Sequence, residues 1–251
     1  MLNQVGLDVR WDADKEVFRR REARVLVTSG SSIGRRRDTA TSTRHVDSSS
    51  PETVEARQTE DRLQHAFRDG GFLVLTVKPS YLRSCEQNLL RRFPELERVS
   101  FDDLLFEHLR VKSEEYEFDW SDLYETDAEG QRSEDWPQLL HLVSEVTPKI
   151  ESEIANRKSP LLLVHPGLIS RYDAMSVLQN LRDKIGHDAD CPSLWVLVAS
   201  DSQSEMPHLD GVQIPLISTG QRANVSEFWV DNYHRGRNEL GVSENATGSG
   251  N

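Results

Sequence analysis

The stretch RVLVTSGSSIGRR, residues 24–36, runs from apolar residues directly into a turn that could do chemistry. Gly30 and Ser32 fit the G-x-S-x-G pattern of a nucleophile elbow, and the turn also resembles a dinucleotide-binding loop. An elbow requires a following helix that holds the serine in place, and the polar residues after this stretch offer no apolar face for one. We therefore predict no hydrolase here and keep Gly30 and Ser32 as candidate ligand-binding residues.

Three consecutive arginines, Arg35, Arg36 and Arg37, follow the turn and indicate another kind of binding. Guanidinium groups beside backbone N–H groups can hold an anion, so Arg35 joins the candidate ligand-binding residues. The same arginines could contact nucleic acid, and such binding would weaken steeply as salt is raised. The net charge of -12 argues against a general nucleic-acid-binding protein.

His165 is the best single candidate for catalytic chemistry. It follows the apolar run LLLV at residues 161–164, and ligands of open α/β sheets bind outside the carboxyl ends of the strands. One hypothesis is therefore a nucleotide-binding protein or an enzyme with an unorthodox site at this edge. Its further candidate residues are Arg171, Tyr172, Asp201 and Asp210.

Complete catalytic motifs of the common classes do not occur in the sequence. The Walker A pattern is missing, and where a P-loop ATPase has a magnesium-binding acid after its buried strand this chain has His165. None of the tyrosines is followed four residues later by the lysine of short-chain dehydrogenases, and the eight histidines lack metal-ligand spacing. The sequence thus favours a noncatalytic protein without metal or cofactor, in which ATP is expected only together with a partner.

Apolar runs alternate with helical patterns along the chain. Strands are predicted at 72–77, near 98–99, and at 161–164, 194–198 and 212–217, with helices between them. Because parallel strands need crossover helices, the fold class is α/β with a parallel sheet, a P-loop-NTPase-like or Rossmann-like three-layer sandwich without a Walker A motif. Pro148 is expected to kink or split the helix that begins at Pro137.

Charge and composition divide the chain into segments. Residues 1–50 are predicted to form a basic arm and polar linker, residues 51–238 an α/β domain, and residues 239–251 a disordered tail. Residues 113–135 carry ten acids and one arginine and are interpreted as a solvated acidic insert. Without a long apolar run or a signal peptide, the chain is predicted to be a cytoplasmic protein with no membrane contact. Cys85 and Cys191 are predicted to be small buried hydrophobic residues.

The order of segments from about residue 61 to residue 235 resembles a known family. The segments are DGGFLVLTVKPSYLRSCEQNLLRRF, VSFDDLLFEHLR, EDWPQLLHLV, SPLLLVHPGLISRYDAMSVLQNLRD, SLWVLVASD, LDGVQIPLI and FWVDNYHR. They are similar to the C-terminal region of the large bacterial kinase/ATPase proteins of the phage growth limitation (Pgl) and BREX defence systems. The resemblance implies a noncatalytic module in a multi-protein anti-phage complex, with a larger kinase, ATPase or other protein subunit as partner. It carries over no catalytic residue.

Overall fold

The computed structural model describes residues 9–12, 17–20, 50–116, 119–188, 191–201 and 206–233. The chain divides into two compact units, residues 1–44 and residues 45–251. In the first unit, β1 (Val9–Asp12) and β2 (Val17–Arg20) pair in antiparallel fashion. The predicted domain boundaries at residues 50 and 238 remain a prediction.

The second unit is built on a five-stranded parallel sheet. Its strands are β3 (Phe72–Val77), β4 (Glu97–Ser100), β5 (Leu161–Val164), β6 (Leu194–Ala199) and β9 (Arg222–Asn224), in the spatial order β4-β5-β6-β3-β9. All residues of β3 and β5 are buried, as expected of strands covered on both faces. This arrangement confirms the predicted α/β class with a parallel sheet.

Helices cover both faces of the sheet. They are α1 (Pro51–Asp69), α2 (Leu82–Arg92), α3 (Phe101–Glu115), α4 (Trp120–Glu129), α5 (Trp136–Ala155), α6 (Gly167–Arg171), α7 (Ser176–His187) and α8 (Glu227–Val230). Alternate residues of β3 point to opposite faces: Phe72 and Val74 pack with α3, α5 and α7, whereas Leu73 and Leu75 pack with α1, α2 and α8. The three-layer sandwich is therefore confirmed.

The last predicted strand is wrong. Within residues 212–217 only β8 (Val212–Gln213) is a strand, and it pairs with β7 (His208–Leu209) in a separate hairpin. The edge of the main sheet is instead the polar segment Arg222–Asn224, which pairs with β3. Pro215 explains the difference, because proline cannot donate to a strand ladder.

The acidic segment is also more ordered than expected. Much of it is α4 rather than a solvated loop, and the Asp119 side chain caps the helix by accepting a bond from the N–H of Ser121 at 2.9 Å. Helix α5 likewise continues through Pro148. Proline removes the N–H that would reach the Ser144 carbonyl, and the Thr147 hydroxyl donates to that carbonyl at 3.1 Å.

Two further features of the fold are the burial of the cysteines and the length and apolar character of the helices. Cys85 is fully buried, as predicted, whereas Cys191 is only half-buried. Of the helices described, none has the length and apolar character needed to cross a bilayer.

Candidate functional site

A cavity of about 240 Å³ lies at the carboxyl ends of β5 and β6, the edge at which α/β sheets bind ligands. Its walls are apolar near the ends of the two strands, at Val164, Leu197 and Val198. Its polar side chains are Glu86, His165, His208 and Asp210. The structure thus brings two of the predicted residues, His165 and Asp210, to one cavity.

His165 enters this cavity from a strained backbone position. The buried strand β5 ends at Val164, and His165 has a φ of 52°, in the left-handed region that non-glycine residues rarely adopt. Its Nδ1 lies 3.4 Å from the hydroxyl of Ser100, at the end of the neighbouring strand β4. Backbone strain of this kind persists where the surrounding structure holds it, often at functional sites.

A carboxyl group sits close to His165. Asp102 lies in the first turn of α3, whose N-cap is Ser100, and its Oδ1 is buried with no hydrogen-bond partner among the described residues. Burial raises the pKa of Asp102 to about 6, and the charge of His165 opposes that rise. Ser100, Asp102 and His165 therefore place a hydroxyl, a carboxyl and an imidazole at one corner of the sheet.

Asp210 reaches the cavity from the β7–β8 hairpin. The two-residue loop Asp210-Gly211 has a positive φ at both positions, 46° and 86°, as a type I′ turn requires. The Asp210 Oδ2 accepts a bond from the Ser170 hydroxyl at 3.3 Å, which ties the hairpin to α6. Since Asp-Gly is a preferred sequence for this turn, its backbone conformation needs no functional explanation.

Arg171 and Tyr172 are directed elsewhere. Arg171 Nε donates to Asp127 Oδ1 at 2.7 Å, and the Tyr172 hydroxyl donates to the same oxygen at 2.9 Å. The Arg171 guanidinium also lies over the Trp136 ring, 5.8 Å from its centroid. These two residues join α6 to α4 and α5, and they are not part of the His165 cavity wall.

The remaining predicted site residues are Asp201 and the residues of the opening turn. Asp201 is exposed just after β6 and is not among the lining residues. The candidates of the opening turn lie outside the described residues: Gly30, Ser32, Arg35, Arg36 and Arg37. Their roles remain predictions.

The cavity combines groups that can move protons with groups that attract positive charge. Imidazole and carboxyl side chains serve as general acids and bases when a substrate lies within hydrogen-bond reach. The carboxylates of Glu86 and Asp210 favour a cation or a hydrogen-bond donor and repel phosphate, although Arg98 pairs with Glu86 at 2.7 Å. Within the described part of the chain, no group of three or more His, Cys, Asp or Glu is placed to hold a metal ion.

Two members of the site were missed by reasoning from the sequence. Asp102 and Glu86 carry no motif, and each lies on a helix that follows a strand of the sheet. The strand-end rule that selected His165 also applies to β4, whose carboxyl end lies beside that of β5. Applied there, it would have found Asp102; no comparable signal identifies Glu86.

Comparison with known proteins gives the site a context. The chain is 28% identical over 214 residues, 82% of its length, to the probable kinase PglW of Streptomyces coelicolor. The match spans only 14% of that protein, so the chain corresponds to a small part of it. No family model and no solved structure matches the chain. The predicted resemblance to the large kinase proteins of Pgl phage-defence systems is therefore confirmed.

Proposed function

We propose that this chain is a noncatalytic α/β module that acts in the assembly or regulation of a larger kinase of a Pgl-type phage-defence system. The observation that carries the proposal is the similarity of 82% of the chain to a 14% part of the probable kinase PglW. A match of that size corresponds to one domain, and domains of this size commonly fold as units. The matched segment is proposed to lie in the C-terminal region of such kinases, in Pgl and BREX systems alike.

The chemistry of the sheet edge supports a role other than phosphoryl transfer. A P-loop enzyme cradles phosphates with a lysine and a glycine-rich loop and binds magnesium through an acid. Here His165 and Pro166 stand after β5, and the carboxylates of Glu86 and Asp210 line the cavity. Negative groups at this position repel a nucleoside triphosphate, so ATP would bind to the partner rather than to this chain.

Exchange of the matching segment in the S. coelicolor kinase tests the proposal. The segment of PglW that matches this chain would be deleted, or replaced by the full chain, in the native host. We expect the deletion to raise the efficiency of phage plating and the replacement to lower it again. Autophosphorylation of the purified deletion protein should persist, because the proposed module does not carry out the chemistry.

Either of two results would count against this role. One is a deletion strain that restricts phage as well as the wild type. The other is binding of ATP to the purified chain, seen by calorimetry and lost on His165→Ala. The second result would favour the alternative, a nucleotide-binding site at the His165 edge.

A further inference from the structure

Aromatic side chains form a row on the outer side of α3 and α4. The rings of Phe106 and Trp120 lie 6.5 Å apart and those of Trp120 and Tyr124 5.9 Å apart, each pair close to perpendicular. Phe106 and Tyr124 are 40% and 43% exposed, while Trp120 is half-buried against the core. Exposed aromatic rings at this density mark surfaces that bind other molecules.

The row borders the first of three neighbouring cavities along α5. Cavities of about 50, 110 and 370 Å³ adjoin one another there. Leu123 and Leu139 line both the first and the second cavity, and Gln138 and Leu142 line both the second and the third. We call these three neighbouring cavities together the α5 groove; separate cavities in a row suit successive side chains of one protein segment rather than one small molecule.

Carboxylates give the α5 groove a negative charge. Asp122 and Asp135 line its central cavity, and both are exposed. Helix α4, which forms one wall, contains four acids and no basic residue, and one of these acids, Asp127, is already paired with Arg171. A positively charged segment therefore complements the groove.

The surrounding structure already holds cations in this way. Beside the groove, Arg171 lies over the Trp136 ring and pairs with Asp127 at 2.7 Å. At the other end, the Lys112 ammonium lies 4.8 Å from the centroid of the Tyr116 ring. A ring together with a carboxylate is the combination that binds a guanidinium well, because its planar face stacks while its edge donates.

We propose that the α5 groove binds a basic, arginine-bearing segment of a partner protein. Arginine side chains stack on Tyr124 and Trp120 in the first cavity, and others pair with Asp122 and Asp135 in the second. Apolar side chains of the same segment cover the half-buried Leu123, which lines both cavities. The inference rests on the proposed function, since a module of a larger kinase needs a surface for its partner.

Short labelled peptides test this chemistry with the full chain. The probes are a fluorescein-labelled peptide of alternating leucine and arginine and matched peptides with lysine or glutamate in place of arginine. Fluorescence polarisation should show binding of the arginine peptide, weaker binding of the lysine peptide and none of the glutamate peptide. The affinity should fall as salt is raised, because exposed charges are screened.

Variants locate the binding on the chain. Tyr124→Ala should weaken binding about threefold, the size of an exposed cation–π contact. Asp122→Asn combined with Asp135→Asn should weaken it about fivefold at low salt and less at high salt. Asp61→Asn combined with Asp69→Asn on α1 makes the same change in net charge at exposed positions away from the groove and should leave the affinity unchanged.

The outcomes separate this inference from the proposed function. Equal weakening by the two double variants would mean that only net charge matters, and it would contradict binding in the α5 groove. If the arginine peptide does not bind but the replacement strain still restricts phage, the groove fails and the proposed function stands. If the peptide binds as expected but the replacement strain does not restrict phage, the groove stands as a binding site and the proposed function fails.

Discussion

Two carboxyl groups of the α/β unit, on helices that cover opposite faces of the sheet, meet opposite surroundings. Glu60 on α1 is buried, and its oxygens accept bonds from Gln64 at 2.6 Å and from Arg92 and Trp229 at 2.7 Å. Asp102 on α3 has a buried oxygen for which the described residues provide no donor. Native proteins satisfy nearly all buried polar atoms, so the second case needs an explanation other than stability.

The two groups also shift their pKa values in opposite directions. Burial alone would raise the pKa of Glu60, but the bonds from Arg92, Trp229 and Gln64 outweigh it, and the pKa lies below the ordinary value. Burial raises the pKa of Asp102 to about 6. The Glu60 carboxylate joins α1 to α2 and α8 through its bonds to Arg92 and Trp229. The Asp102 carboxyl keeps one buried oxygen without a donor among the described residues, at an energetic cost, and groups with strongly shifted pKa values concentrate at functional sites.

The largest expected effect is the loss of the Glu60 contacts. Glu60→Leu leaves the guanidinium of Arg92 and the indole N–H of Trp229 without their acceptor, so the free energy of unfolding should fall by about 3 kcal/mol. Urea denaturation measures it. Glu55→Gln, at an exposed position of the same helix, is the control and should change stability by less than about 0.5 kcal/mol. A loss no larger than that of the control would mean that Glu60 does not hold α1 in place.

Asp102 should make the stability of the protein depend on pH in the opposite direction to Glu60. Its folded pKa is above the unfolded one, so the folded wild type loses stability as pH rises from about 4 to about 6. Asp102→Asn should remove this loss and be more stable than the wild type by about 1 kcal/mol at pH 7. The difference is smaller than the pKa shift alone implies, because solvent and the N-terminus of α3 stabilise the ionised carboxylate. At pH 4 the two proteins should be equal.

Thermal unfolding from pH 4 to pH 7 measures this difference. Glu60 provides the internal contrast, since its lowered pKa gives stability that is present above its ordinary pKa and lost as pH falls through the folded value. An Asn variant that is less stable than the wild type at pH 7 would mean that Asp102 is satisfied in solution. Asp102 and Glu60 would then not differ in whether their oxygens have hydrogen-bond donors.

The sheet could be predicted from the sequence where its strands are apolar. The runs FLVLTV and LLLV are buried on both faces, and strands buried in this way consist of apolar residues that the sequence shows directly. The strand Arg222–Asn224 has no apolar run, because it is short and polar and lies at the edge of the sheet through its pairing with β3. Long-range pairing of that kind is not encoded in the local pattern.

The candidate site was predictable only in part, for a similar reason. His165 was found because a rule about strand ends applies to any apolar run. Arg171 and Tyr172 are close to it in sequence, but the structure turns them toward Asp127, a partner 44 residues away from Arg171. The sequence predicts a loop where helix α4 supplies that partner, because acids outnumber the sparse apolar positions there.

An expected effect no larger than that at Asp102 concerns the strain at His165. Glycine adopts a φ of 52° without the steric cost that other residues meet, whereas alanine keeps that cost and also loses the ring. His165→Gly should therefore be more stable than His165→Ala by about 1 kcal/mol, as measured by urea denaturation at pH 7. Because the charge of His165 holds the pKa of Asp102 down, both variants should also shift the Asp102 titration to higher pH. Equal stability of the two variants would show that the position is unstrained in solution, and an unmoved titration would separate His165 from Asp102.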